Sequence, residues 1–301
     1  MPLVSIIMAT YNRSNILLYA VESVRAQTHT NWELLVVGDA CTDDTEAVIE
    51  AINDSRIRFI NLPTNTGEQS GPNNVGLRQA QGAYLAFLNH DDLWFPDHLA
   101  TALTLFSQQP DTDFLLSLGA VMNPDRSTYL LGFFQNDTYK PNYFVPASGW
   151  VFQRRVLAAV GYWRSYRQLW LYPSHDYLRR AYRAGLTMRP TNRLTWVAIP
   201  SGNRMNSYRD RQSAEHSHYA TQLTTNPAWR SDLLINVLLS HEMDRQAGLS
   251  MIWQGIKNLI KQPFIRQGIV TYEWRFMFAS LRKGHAIRQF RRVRGLPNFT
   301  D

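Results

Sequence analysis

Between residues 3 and 106 the chain switches repeatedly between two hydrophobic periods. Residues 3–9, 32–37, 56–62 and 83–88 are apolar, β-rich runs of strand length. Between them lie stretches of helical spacing. Behind Ser14, a residue suited to capping, Ile16, Leu17, Ala20, Val21 and Val24 fall on one face. Thr42 or Asp43 can open a second helix through Ala47, Val48 and Ile52, and residues 75–81 read as a third helix stopped by Gly82. Pro96 suits the first turn of a helix carrying Leu99, Leu103 and Phe106. Strand and helix alternating at this spacing build βαβ units, hence an α/β fold with a mostly parallel sheet. Such sheets hold ligands at the carboxyl ends of their strands.

After residue 111 the pattern loosens. Residues 114–121, 143–152 and 194–199 look like strands of a mixed region, with helices at 154–160 and 176–184, the latter capped by Ser174 and closed by Gly185. Residues 200–218 are polar, contain Arg204, Arg209 and Arg211, and read as a mobile loop. From residue 228 onward only helical periodicity remains. We therefore expect a domain over 1–225, with halves at about 1–110 and 111–225, followed by a basic helical region over 226–301.

Composition excludes several classes. A chain of 301 residues, 45% hydrophobic and 18% charged, is globular and large enough for a substantial core. The single cysteine, Cys41, permits neither an intrachain disulfide nor a Cys-rich zinc site and suits a reducing, cytoplasmic setting. No run of about 18 apolar residues suggests a membrane span. The net charge of +7 is concentrated at the end: residues 251–301 hold ten basic residues against two acidic, a net +8.

The chemistry-bearing residues cluster where strands end. The run at 83–88 stops abruptly at Asn89, His90, Asp91 and Asp92. Adjacent carboxylates repel unless a cation or hydrogen-bond donors compensate them. Oxygen ligands at a strand end suit Mg2+ or Mn2+ bridging to phosphate. A solvated turn with Asp92 capping the next helix is the plainer reading. Thr10, Tyr11 and Arg13 leave the first strand, and Asp39 leaves the second. These can be a strand-to-helix turn and a helix cap, or the wall of a ligand site.

Five ordered segments point to the second alternative. VSIIMATYNR, VVGDACTDDT, the 65–76 loop with Asn65, Gly67, Asn73, Asn74 and Gly76, FLNHDDLWFP, and SHDYLRRAYRAG resemble family 2 glycosyltransferases of the GT-A fold. The resemblance covers about residues 3–210. It implies an inverting transferase moving a sugar from a nucleotide-diphosphate sugar to an acceptor hydroxyl, in bacterial-type polysaccharide, glycan or glycolipid synthesis. It implies that Tyr11 stacks on the base, that Arg13 reaches the diphosphate, and that Thr10, Asp39, Asn73, Asn74, Asn89 and His90 line the donor site. Asp91 is implied as the ligand of Mn2+ or Mg2+, and Asp176 as the catalytic base. On the acceptor side or lid it points to Trp150, His175, Arg209, His216 and His218, with Trp150 equally suited to the core.

The sequence departs from the family pattern at Gly38, Asn73, Asn89 and His175, where the family has Asp, Arg, Asp and Glu. Those changes keep a second class open: an impaired nucleotide-sugar-binding or scaffold protein. The implied partners are a UDP or dTDP sugar and a glycan or lipid-linked acceptor, and the C-terminal region leaves a homodimer contact open. In the tail, aromatics such as Phe264 and Trp274 sit among Arg and Lys. That mixture suits an anionic membrane surface at the inner face, or a packed helical subdomain with a basic exterior. Nucleic acid is not expected, since no recognition motif accompanies the charge.

Overall fold

A computed structural model describes residues 1–134, 138–141, 143–246 and 283–297. One nine-stranded sheet organises the chain, in the order β3-β2-β1-β4-β8-β6-β9-β5, with β7 beside β6. Its first half is the predicted parallel unit. β1 (Val4–Thr10) lies between β2 (Trp32–Gly38) and β4 (Tyr84–Phe87), and β3 (Ile57–Asn61) pairs with β2, all in parallel. The helices α1 (Ser14–Arg25), α2 (Thr45–Glu50) and α3 (Ser70–Gln79) are its crossovers. α1 buries Ile16, Leu17, Ala20, Val21 and Val24, the face its spacing dictates.

The second half is mixed. β8 (Trp150–Gln153) runs antiparallel to both β4 and β6 (Phe114–Met122), and so joins the two halves. β9 (Met188–Ala198) is parallel to β6, while β5 (Asp92–Trp94) pairs antiparallel with β9 and β7 (Thr128–Leu131) with β6. The two halves assigned from sequence therefore share one sheet, while a second cluster of buried apolar residues, including Leu93, Phe95, Val197 and Leu233, lies apart from the main core. α4 (His98–Gln108), α5 (Val156–Val160) and α6 (Pro173–Arg183) complete the layers.

Several expectations need correction. The strand expected over 143–152 is only β8, preceded by a 3-10 turn at Ala147–Gly149. The segment 200–218 is not a structureless loop. It holds a 3-10 turn at Ser201–Asn203, the short helix α7 (Ser207–Asp210) and the start of α8 (Ala214–Thr225). It is tied down by Arg13, which donates to the Ser207 carbonyl, and by Arg211, which reaches Asp43 at 3.1 Å and Ser14 Oγ at 2.6 Å. Polar composition suggested mobility, yet these polar groups are spent on hydrogen bonds to the first domain half.

α9 (Trp229–Gln246) and α10 (His285–Arg294) confirm helix in the C-terminal region. The aromatic-basic stretch at 251–282 lies outside the described residues. Among the described residues, no helix is long and apolar enough to cross a membrane.

Candidate active site

A cavity of about 280 Å3 opens at the carboxyl ends of β1, β2 and β4. Thr10 and Tyr11 line it from the end of β1, Asp39 from the end of β2, and Asn89, His90, Asp91 and Asp92 from the segment after β4. Gly67, Glu68 and Gln69 contribute from the loop before α3, and Tyr172, Pro173 and Ser174 from the start of α6. The sheet thus gathers residues far apart in sequence because parallel strands end on one edge.

The adjacent carboxyls differ in state and task. Asp92 is 2% exposed. Its Oδ2 accepts from Ser148 Oγ at 2.5 Å and Asn89 Nδ2 at 2.9 Å, and its Oδ1 accepts from the Ile199 amide at 3.3 Å. Burial, reinforced by the charge of Asp91, raises its pKa far enough to favour the neutral acid. For Asp91 burial works in the same direction. It is outweighed by His90, by Arg294 and by the Ser201 amide, which donates to Oδ2 at 3.0 Å, so this carboxyl stays below the usual range. Asp91 is the ionised group facing the cavity, and Asp92 is a structural brace for the loop.

A divalent ion was expected at Asp91. Among the described residues, no group of three His, Cys, Asp or Glu side chains converges on a metal position. One ionised carboxylate at a strand end would suit Mg2+ or Mn2+, hard cations that take oxygen ligands. Asp91 fits that part and Asp92, with its oxygens already bonded, does not.

Asp39 is 4% exposed and is held by its neighbours. It accepts from the Thr66 amide at 2.7 Å, Thr66 Oγ1 at 2.8 Å and the Gly67 amide at 2.9 Å. Burial raises its pKa, and these donors act against that. The carboxylate therefore fixes the loop beside the cavity as well as lining it. Gly38 has its own reason to lack a side chain: a Cβ there would lie 2.6 Å from Asn61 Oδ1, which accepts from the Cys41 amide.

Other candidates lie elsewhere. Arg13 is 1% exposed, sits 5.0 Å over the Tyr208 ring, and lines a separate cavity of about 50 Å3 with His216 rather than the main one. Asn73 is buried in α3 away from the lining. Asn74 pairs its amide with the Trp163 backbone, donating at 2.9 Å and accepting at 2.8 Å, a structural clamp. Trp150 is fully buried against Trp163, Tyr177 and Phe87, which settles its reading in favour of the core. His175 is fully buried, with Nε2 at 2.8 Å from the Pro141 carbonyl. Arg209 is exposed and paired with Asp210, and His218 is exposed on α8.

Asp176 does not line the cavity. Its Oδ2 accepts from Arg180 Nε at 2.8 Å, and Arg164 lies 3.7 Å from Oδ1. It stands one turn along α6 from Tyr172, which does line the cavity.

Residues the sequence did not single out complete the wall. Glu68 accepts from the Ser70 amide and hydroxyl at 2.8 and 2.9 Å, and desolvation pushes its carboxyl up to about 7. From the C-terminal region, α10 lays Ile287, Phe290, Arg291 and Arg294 over the opening. Their i, i+3, i+4, i+7 spacing was a readable signal of one helix face. The net charge of the tail masked it.

The geometry matches what comparison with known proteins finds. Among solved structures, Staphylococcus aureus TarS 1-349 in complex with UDP-GlcNAc superposes with a TM-score of 0.58 at 18% identity, covering 98% of this chain and 91% of that one. The mannosyltransferase PcManGT from Pyrobaculum calidifontis, in complex with GDP-Man and Mn2+, gives 0.53 at 17% identity, with 93% and 86% covered. These likenesses establish the GT-A fold. In sequence, 103 residues are 37% identical to the Escherichia coli UDP-Glc:alpha-D-GlcNAc-diphosphoundecaprenol beta-1,3-glucosyltransferase WfgD, covering 34% of this chain and 40% of that protein. A stretch of 110 residues is 36% identical to the putative teichuronic acid biosynthesis glycosyltransferase TuaG of Bacillus subtilis, covering 36% and 43%. The matches thus span less than half of these relatives' length. The model of the family described as glycosyl transferase family 2 matches residues 5–167, more than half of the chain, and the protein belongs to that family.

Proposed function

We propose that this protein transfers a hexosyl unit from a nucleotide-diphosphate sugar, with UDP as the first choice of nucleotide, to a hydroxyl of a lipid-linked cell-envelope glycan. The observation that carries this reading is the cavity at the strand ends, where Tyr11 and Asp39 form one wall and the ionised Asp91 another. The family assignment, the UDP-GlcNAc complex of TarS and the diphosphoundecaprenol-linked acceptor in the name of WfgD support it. Tyr11 offers its ring to the base, and Asp91 is placed to hold a divalent ion at the diphosphate. That ion, when bound, neutralises charge on the leaving group.

An inverting displacement needs a base on the acceptor side. On this reading Asp176 is that base, reached by exchanging its contact with Arg180 for the acceptor hydroxyl. Hydrogen bonds to catalytic groups often tighten only in the substrate complex. The contact with Arg180 also favours a second reading, a protein that binds a nucleotide sugar without turning it over.

Thermal melting with a nucleotide panel, with and without Mn2+, tests the binding step, since a ligand of the native state raises apparent stability. We expect UDP or a UDP sugar to raise the midpoint, and the Mn2+-dependent part to vanish in Asp91→Ala. A panel in which no nucleotide moves the midpoint would refute the nucleotide-sugar reading. Donor hydrolysis by the wild type that falls roughly 10²-fold in Asp176→Asn identifies the base. Tight binding with no turnover selects the second reading.

A further inference from the structure

The cavity has an electrostatic problem. Its lining carries four carboxyl groups, Asp39, Glu68, Asp91 and Asp92. Asp92 and Glu68 are pushed toward the neutral acid, but Asp91 stays ionised, so a diphosphate entering there meets its charge unless cations stand close. Among the described residues, the N-terminal two-thirds of the chain puts no arginine or lysine in the lining, although the charge of Arg13 is felt at Asp91 and His90. Arg13 turns away to the Ser207 carbonyl and lines a different cavity. Asn73 stands where the family pattern has Arg, and does not line the cavity. Among the described residues, the only arginine or lysine side chains in the lining come from α10, Arg291 and Arg294.

We propose that Arg291 and Arg294 bind the diphosphate of the donor, so that the C-terminal helix completes the nucleotide-sugar site. This rests on the nucleotide-sugar reading above and adds to it the groups that recognise the charged part of the donor. Arg291 is 5% exposed and its guanidinium is fixed. It donates to the Gly67 carbonyl at 2.9 Å and through Nε and a terminal nitrogen to the Pro297 carbonyl at 3.0 and 2.9 Å. These hydrogen bonds hold the fork in place at the cavity wall. Arg294 lies one turn on, over the Tyr208 and Phe290 rings at 5.8 and 5.6 Å. Its Nε is buried without a hydrogen-bond partner among the described residues. A buried donor left unpaired is costly, and an oxyanion in the cavity relieves that cost.

The two arginines also reach different parts of the wall. Arg291 holds Gly67, whose amide is bound by Asp39 on the nucleoside side. Arg294 lies on the side of Asp91 and His90, whose ionisation it influences. A guanidinium fork matches phosphate oxygens in pairs, which a single ammonium does not. Basic residues in the last turn of α10 also suit its dipole, so the helix tolerates the cluster without a ligand.

The test is calorimetric titration of the full chain, without metal, with UDP, and ligand-observed NMR competition with uridine, which shares the base and ribose and lacks the phosphates. If another base binds the wild type better, its nucleoside and nucleoside diphosphate replace this pair. We expect Arg294→Ala and Arg291→Ala to weaken UDP roughly 10- to 100-fold each, the range for one charge-assisted contact. Uridine affinity should hold within about twofold, and the Lys variants should recover part of the loss. Unchanged UDP affinity in both variants overturns the proposal. So does an equal loss for UDP and uridine, which would make the arginines braces for α10. Arg294→Ala carries the test if Arg291→Ala fails to fold, because only Arg291 is tied to backbone carbonyls. A wild type that binds neither member of the pair, even when Mn2+ is added, rejects the nucleotide-sugar reading itself.

Discussion

Glu68 shows how a residue can be active in the energetics of a site without belonging to any motif. Its carboxyl is pushed up to about 7 by desolvation, against hydrogen bonds from Ser70 that work the other way. A carboxyl whose folded pKa exceeds its unfolded value binds extra protons in the native state. Stability linked to it is complete below about pH 4.5, the ordinary Glu value, and is lost as pH rises through about 7. Glu68→Gln should therefore raise the melting midpoint at pH 8 relative to wild type. At pH 4 it should bring no such gain. Melting curves at the two pH values check this, and an equal shift at both would show that the effect comes from packing. The same desolvation divides Asp91 from Asp92. A sequence presents two identical side chains, and the placement of Ser148, Asn89 and Ser201 helps make one a brace and the other a buried charge facing the cavity.

At the scale of elements, the first four strands were legible because their periods were clean. Each reading from 3–9 to 83–88 falls within about a residue of β1 to β4. The tyrosine, the two carboxyl positions and the strand ends that carry them followed from that. Less could be read where tertiary contacts decide. Trp150 looks identical as a sugar platform and as a core ring, and only its neighbours Trp163 and Tyr177 choose. Arg13 was aimed at a diphosphate by motif, and the carbonyl of Ser207, distant in sequence, takes it instead. β6 offers a further example of context. A Cβ on Gly119 would fall 2.0 Å from Trp196 Cε2, and one on Gly149 would fall 2.6 Å from Trp196 Nε1. The Trp196 ring fills the space these glycines leave and donates to the Ser117 carbonyl at 3.0 Å. Gly119→Ala should cost roughly 1–3 kcal/mol or more, the scale of overpacking a tight interior. Urea unfolding with an unchanged midpoint would mean that β6 and β9 can slide apart without penalty.

At the scale of the molecule, charge is partitioned between tasks. Part of the excess of the last fifty residues, at Arg291 and Arg294, belongs to the cavity. Lys257, Lys261 and Arg266 lie outside the described residues, in the stretch whose composition suggests an anionic surface. Replacing those three with Gln should lower co-sedimentation with phosphatidylglycerol vesicles at low salt and leave UDP affinity unchanged. Equal sedimentation of the two proteins would remove this segment from any membrane role. Deleting the whole tail cannot ask the question cleanly, since it takes α10 away too.

That dependence on α10 also has a consequence in time. A ribosome delivers the sheet, Asp39 and Asp91 well before it delivers Arg291. The nascent protein can thus hold a nearly finished core while it is still unable to keep a donor. On the proposal that Arg291 and Arg294 hold the diphosphate, premature termination, or a protease cut before residue 283 with loss of the end fragment, would remove both arginines and weaken the hold on the donor. On that proposal, only chains translated through α10 carry both cations of the cavity lining among the described residues.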